Sequence, residues 1–207
     1  DEALFSLHGP SAGVHDPLAG RDGSFGRVTT ALRNCLDLKP GFRAFVNTVL
    51  TRQNAEKLPE TVAFAEKLGA TLIVVSNTTP EGAGGDSYGE LAVPIEQLAV
   101  VLPAAAAAAR RAVIRFFGVP MCLLGDFYAQ SNDLHWDPRV TVEWLSEPEA
   151  VRFGGVYSWA PDRRRVHVEA CGGCRRRSVC MGVFDSYARR WPTDALRPYT
   201  TPADGLC

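Results

Sequence analysis

The chain has 207 residues, 46% hydrophobic and 22% charged, with a formal net charge of -1. This is an ordinary globular composition for one or two domains, and nothing in it asks for a nucleic-acid or membrane partner. The longest apolar stretch, Val100 to Phe117, is interrupted by Pro103, Arg110, Arg111 and Arg115, short of the ~18 unbroken apolar residues of a spanning helix.

Taken in order, Ala3 to Leu7 reads as a buried parallel strand that empties through His8-Gly-Pro10 into a long polar loop. That loop runs past His15-Asp16 to Gly23, and Ser24 is the expected N-cap of a helix. Phe25, Val28, Leu32, Cys35 and Leu36 follow at helical spacing, which places Cys35 on a core face. Lys39-Pro-Gly41 stops the helix, and Phe42 to Leu50 reads as the next strand. Asn54 is positioned to cap a short turn before a helix from Pro59, whose inner face carries Val62, Ala65 and Leu68. Ala70 to Val75 is apolar throughout, as a strand covered on both faces should be.

The glycine-rich loop Pro80 to Asp86 has neither phosphate-loop nor dinucleotide spacing. A helix from Ile95 through the alanine run to Arg111 precedes a fourth strand, Val113 to Phe117. Beyond it the sequence is irregular as far as Glu147, then predicts a hairpin of Val156–Trp159 with Arg165–Glu169 about Pro161-Asp162. A last helix is expected over Ser178 to Trp191, followed by a loose tail.

Three of the six cysteines fall within ten residues, Cys171-Gly-Gly-Cys174 and Cys180. The glycines let the backbone fold back, so three thiolates can reach one metal centre, either zinc or an iron–sulfur cluster. Such clustered cysteines suit metal-bound thiolates in a reducing cytoplasm better than a disulfide scaffold. Cys122, in a loop after a strand, is the expected fourth ligand; Cys35 belongs to a helix and Cys207 ends the tail. The arginine runs 163–165 and 175–177 flank the cluster and read as a solvated basic face, with an electropositive rim around a thiolate-bound metal as the functional alternative. His8 and His15 sit at the carboxyl end of a strand, where α/β proteins keep ligand sites. His135 and His167 lack partners at metal spacing.

Phe5-Ser-Leu-His-Gly-Pro10 with His15-Asp16, Val46-Asn-Thr-Val-Leu-Thr-Arg-Gln-Asn54, Leu72 to Gly82, and Cys171 to Gly182 with Tyr187 and Leu196-Arg-Pro198 together resemble the carboxyl-terminal part of a radical S-adenosylmethionine (SAM) enzyme. The last of these stretches is similar to the auxiliary-cluster segment of SPASM and twitch domains. The resemblance implies an α/β fold: the second half only of a partial (β/α)6 radical-SAM-type barrel over residues 1–120, with a small irregular Cys-rich C-terminal domain over 121–207. It implies an auxiliary [4Fe–4S] cluster on Cys122, Cys171, Cys174 and Cys180. It also puts Ser6, His8, Asn47, Val75, Ser76 and Asn77 near SAM. The family's C-x3-C-x2-C triplet for the SAM-cleaving cluster is absent from this sequence. The chain is therefore expected to be a fragment, inactive alone and lacking an amino-terminal barrel half as partner. In the complete enzyme a 5′-deoxyadenosyl radical would modify a peptide or small-molecule substrate. The contrasting expectation is a non-catalytic zinc-binding interaction module on the same four cysteines.

Overall fold

The computed structural model describes residues 1–135, 141–147, 150–157 and 164–200. In chain order the first portion comprises β1 (Glu2–Ser6), α1 (Ala12–Ala19), α2 (Ser24–Leu38), β2 (Arg43–Leu50), α3 (Leu58–Lys67), β3 (Ala70–Asn77), α4 (Gly82–Asp86), α5 (Tyr88–Leu91), α6 (Ile95–Ala108) and β4 (Val113–Phe117). The four strands form one parallel sheet in the order β1-β2-β3-β4, so the winding never reverses.

Period-2 alternation gives the sheet two unlike faces. On β2, Ala44, Val46, Thr48 and Leu50 are buried, while Phe45, Asn47 and Val49 are half-covered. The buried face continues through Ile73 and Val75 of β3 and Ile114 and Phe116 of β4, and packs in one cluster with Leu32 of α2, Val62 and Ala65 of α3, and Leu98, Leu102 and Ala105 of α6. Each of the larger side chains among these, the valines, leucines, isoleucines and Phe116, contributes about 1.5–3 kcal/mol on burial. The opposite face carries Leu4, 60% exposed, and Val113, 47% exposed.

The segment read as a loop before Ser24 contains α1, whose helix ends at Gly20 in the left-handed conformation. Polarity hid this helix, because its anchor is itself polar: His15 is buried, and its Nδ1 accepts the His8 backbone N–H at 2.9 Å. Nor does Ser24 cap α2. The cap position is Gly23, and the Asp16 carboxylate takes the Gly23 and Phe25 N–H groups at 2.8 and 2.7 Å. The Phe25 N–H foremost, with that of Gly23, holds the Asp16 pKa below its ordinary value. Cys35 is half-buried, not a core residue.

After β4 the chain makes short 3-10 turns, then β5 (Thr141–Glu147), β6 (Ala150–Tyr157), β7 (Arg165–Val166), β8 (Val183–Phe184) and α7 (Asp185–Ala188). The hairpin is therefore β5 with β6, antiparallel, and not 156–159 with 165–169; β7 pairs instead with the distant β8. Trp159 and the expected turn at Pro161-Asp162 lie outside the described residues. The last helix is also far shorter than expected. Gly182 sits at φ +82°, and a Cβ there would collide with the Val166 carbonyl, so helix cannot run through it. Val183, Phe184, Tyr187 and Leu196 join the same core cluster as the sheet. The Tyr187 hydroxyl accepts the Ile95 N–H at 2.9 Å and so satisfies an orphan donor in the first turn of α6. Among the described residues no helix is long and apolar enough to cross a membrane.

Candidate metal centre and the adjoining cleft

Three separate segments converge beyond the end of β4. One is Pro120-Met121-Cys122, the second is Cys171 to Cys180, and the third is Leu196 to Tyr199. Cys122, Cys171, Cys174 and Cys180 all line a single narrow pocket, with a cavity volume of only about 20 Å³, and His167, Arg176 and Tyr199 are among its other walls. The expected distant ligand, Cys122, is thus brought to the clustered three. Cys207 lies outside the described residues. Among the described residues, no three His, Cys, Asp or Glu side chains converge closely enough to hold a single metal ion.

The pocket's electrostatics follow from burial. Burial pushes the Cys122 thiol up to about 12, against an opposing N–H from Arg197; the sulfurs of Cys180, Cys171 and Cys174 add to the rise. Cys180 is raised as well, chiefly by burial, although its sulfur accepts the N–H groups of Met121 at 3.5 Å and Gly182 at 3.4 Å. A bound cation inverts this logic by stabilising thiolates outright. The donor set fits an iron–sulfur cluster: four thiols line one pocket, and two of them already receive backbone N–H groups.

Two arginines from the runs expected on a solvated face are buried, Arg176 as a wall of the pocket and Arg165 through its contacts to the Val119 and Gly182 carbonyls. Arg176 is 3% exposed and lies over the Tyr128 ring, 3.3 Å from its centroid, with the Tyr199 ring at 4.7 Å. Tyr199 in turn donates its hydroxyl proton toward the Met121 and Gly125 carbonyls, at 3.0 and 2.7 Å. Arg165 pairs with Asp133 in a bidentate contact of 2.7 and 3.0 Å. Sequence reasoning missed Asp133 and Arg165, since neither stands in a motif and only the fold makes them neighbours. His167 donates its Nε2 proton to the Cys180 carbonyl at 2.7 Å, and His135 donates to the Ala129 carbonyl at 2.9 Å.

The residues expected near SAM divide into two groups. Ser6, Asn47 and Ser76 share the sheet face away from the helices: Ser6 is in register with Asn47, and the Ser76 hydroxyl donates to Asn47 Oδ1 at 2.8 Å. Val75 is fully buried on the helix side, leaving only its backbone for a ligand, and Asn77 donates to the Gly118 carbonyl at 3.1 Å. His8 lines a different space, a cleft of about 500 Å³ at the carboxyl ends of β1 to β3 with Thr51, Gln53, Thr78 and Glu81. His8 Nδ1 accepts the Val49 N–H at 3.2 Å, which leaves Nε2 as the protonated nitrogen. Burial first, and His15 second, hold the His8 pKa below its ordinary value. Asn54 frames this cleft: its Oδ1 accepts the Thr51 N–H at 2.8 Å, and its Nδ2 donates to the carbonyls of His8 and Val49 at 2.9 and 2.8 Å. His15, paired with His8 in the sequence reading, is structural, with Nε2 on the Ser24 hydroxyl at 3.2 Å.

No family model matches the chain. Part of it is 39% identical over 97 residues to mycofactocin maturase MftC of Mycolicibacterium smegmatis (strain ATCC 700084 / mc(2)155), a match covering 46% of the chain and 24% of the maturase. The mycofactocin maturase MftC of Mycobacterium ulcerans (strain Agy99) is 36% identical over 91 residues, covering 44% of the chain and 24% of that protein. The matched stretch thus spans about a quarter of each relative's length. Over just under half of its own length, the chain is similar to mycofactocin maturases.

Proposed function

We propose that this chain is the carboxyl-terminal portion of a cytoplasmic radical SAM maturase acting on a peptide or other small precursor. In this reading residues 1–120 are the second half of a (β/α)6 barrel, and 121–207 hold an auxiliary [4Fe–4S] cluster on Cys122, Cys171, Cys174 and Cys180. The observation that carries the reading is the gathering of the distant Cys122 with the clustered Cys171, Cys174 and Cys180 around one pocket. The singly wound parallel order supports the barrel half, since a doubly wound sheet reverses its order at a switch point. The partial similarity to enzymes named as maturases supports the precursor-modifying role.

The auxiliary cluster would supply an electron relay or substrate anchor, and SAM with a second cluster in the complete enzyme would supply the hydrogen-abstracting radical. This chain's own residues do the holding. The Met121, Gly182 and Arg197 N–H groups stabilise negative charge on the Cys180 and Cys122 sulfurs. Tyr199 fixes the carbonyls on either side of Cys122. Ser6, Asn47 and Ser76 offer polar groups on the open sheet face where SAM would lie.

Anaerobic reconstitution followed by iron, sulfide and zinc analysis tests this. About four irons and four sulfides per chain are expected. Stoichiometric zinc without sulfide would overturn it in favour of a metal-binding interaction module on the same four cysteines.

A further inference from the structure

The Asp133–Arg165 pair lies where two cysteine-bearing backbones meet. Its side chains are 6% and 4% exposed. Arg165 Nη2 donates to the Val119 carbonyl at 3.0 Å, three residues before Cys122, and to the Gly182 carbonyl at 2.7 Å, two residues after Cys180. Arg165 Nε donates to the same Gly182 carbonyl at 3.0 Å. Asp133 Oδ2 accepts the Met181 N–H at 3.0 Å. The dipeptide that follows Cys180 is therefore held from both sides, its N–H by the carboxylate and its carbonyl by the guanidinium, while the same guanidinium ties down the approach to Cys122.

A buried ion pair is a poor source of net stability, because desolvation offsets most of the attraction. Here the pair has a geometric output. The Gly182 N–H and the Met121 N–H both reach the Cys180 sulfur, and both belong to the two strands of chain that Arg165 joins. Fixing Val119 and Gly182 against one planar guanidinium fixes the separation of Cys122 from Cys180 and aims both N–H donors. The pair's opposite charges also act on the Cys180 sulfur with opposite signs, the guanidinium favouring negative charge there and the carboxylate opposing it.

We infer that Asp133 and Arg165 are positioning residues for the four-cysteine site: a charge-balanced brace that sets the Cys122–Cys180 spacing and the reduction potential of the group bound there. The inference rests on the [4Fe–4S] reading. It names residues that neither ligate nor stand in the cysteine motif, and it assigns each a separable effect.

The test compares the reconstituted protein with Asp133→Asn and Arg165→Met, reading iron per chain, iron release to a chelator and midpoint potential at pH 8. Both variants should release iron at least tenfold faster. Their potentials should move in opposite directions, upward where a guanidinium is left unbalanced by Asp133→Asn and downward where a carboxylate is left by Arg165→Met. Unchanged release, or potentials that stay put or shift together, overturns the brace. If Arg165→Met does not fold, Arg165→Lys replaces it: charge is kept and the fork is lost, so fast release with a near-native potential is expected, and native release overturns the proposal. A wild-type protein that takes up zinc without sulfide would instead sink the cluster reading itself, so the two failures are distinguishable.

Discussion

Replacing Asn54 by Asp changes almost no volume and inverts one hydrogen-bonding group, which makes it a clean probe of how the cleft is framed. Asn54 is 1% exposed, and its Nδ2 reaches the His8 carbonyl just beyond β1 and the Val49 carbonyl near the end of β2, at 2.9 and 2.8 Å. In Asn54→Asp a carboxylate oxygen would face those two carbonyl oxygens. Two hydrogen bonds worth about 1 kcal/mol each are lost, and leaving buried acceptors opposed adds about 1–3 kcal/mol. The sum, about 3–5 kcal/mol, is a large share of the stability of an ordinary domain. The sign with pH is also fixed. Only the protonated carboxyl can donate, so the folded state raises the pKa of the new group; the deficit is full above that pKa and shrinks as pH falls through it. Urea denaturation at pH 8 and pH 5 measures both terms. A variant within 1 kcal/mol of wild type at pH 8, or one whose deficit grows on acidification, would refute the account of Asn54 as the tie between the two strand ends.

Cys122→Ala should drop iron well below four per chain after reconstitution, whereas Cys35→Ala, on the outlying half-buried face of α2, should leave iron content unchanged; equal loss in both would disconnect Cys122 from the site. Glu66 Oε2 accepts three consecutive N–H groups, from Arg110, Arg111 and Ala112 at 2.9, 2.6 and 2.8 Å, and the Ala112 bond foremost holds its pKa below the ordinary 4.5. Its stabilisation is therefore present above pH 4.5 and lost as pH falls through the lower folded value, so Glu66→Gln should cost about 1–2 kcal/mol at pH 7 and little at pH 3, read by thermal melts across pH. His8 should show the Nε2–H tautomer by nitrogen-15 NMR at pH 7, as the Val49 contact requires, and titrate below 6.5, with stability declining as pH drops under 6.5; a ring already half-charged at pH 6.5 would contradict the burial that lowers its pKa.

The sheet was legible in the sequence because its strands obey simple rules: short apolar or alternating runs, separated by helices with recognisable stops. The elements that escaped are those whose causes are tertiary. Helix α1 is held by a buried histidine and by a carboxylate that caps the next helix, so its polar sequence reads as loop. The expected helix at Ser178 fails because the backbone after Cys180 is committed to Asp133 and Arg165 and then turns at Gly182, where only glycine fits. Arg165 and Arg176 read as surface charge because a run of arginines usually is; what buries them is a carboxylate 32 residues away for one and two tyrosine rings for the other. The cysteine site divides the same way. Spacing alone groups Cys171, Cys174 and Cys180, while the arrival of Cys122 depends on where β4 ends.

That dependence links the two sites. In a parallel sheet every strand delivers its chain to the same edge, so β1, β2 and β3 open into the cleft and β4 opens, through Gly118 and Pro120, into the cysteine pocket. The Asn77 amide holds the Gly118 carbonyl at 3.1 Å, stitching the exit of β3 to the exit of β4. A ligand bound in the cleft and a group bound by the cysteines would therefore sit on neighbouring outlets of one sheet edge. Positional precision at both comes from the same buried face of Ile73, Val75, Ile114 and Phe116. Large-to-small changes there, such as Phe116→Ala at about 3–5 kcal/mol, should loosen iron retention even though Phe116 approaches neither site, whereas Leu4→Ala on the exposed opposite face should leave it alone. Iron release measured in both variants separates a shared scaffold from two sites that merely lie side by side.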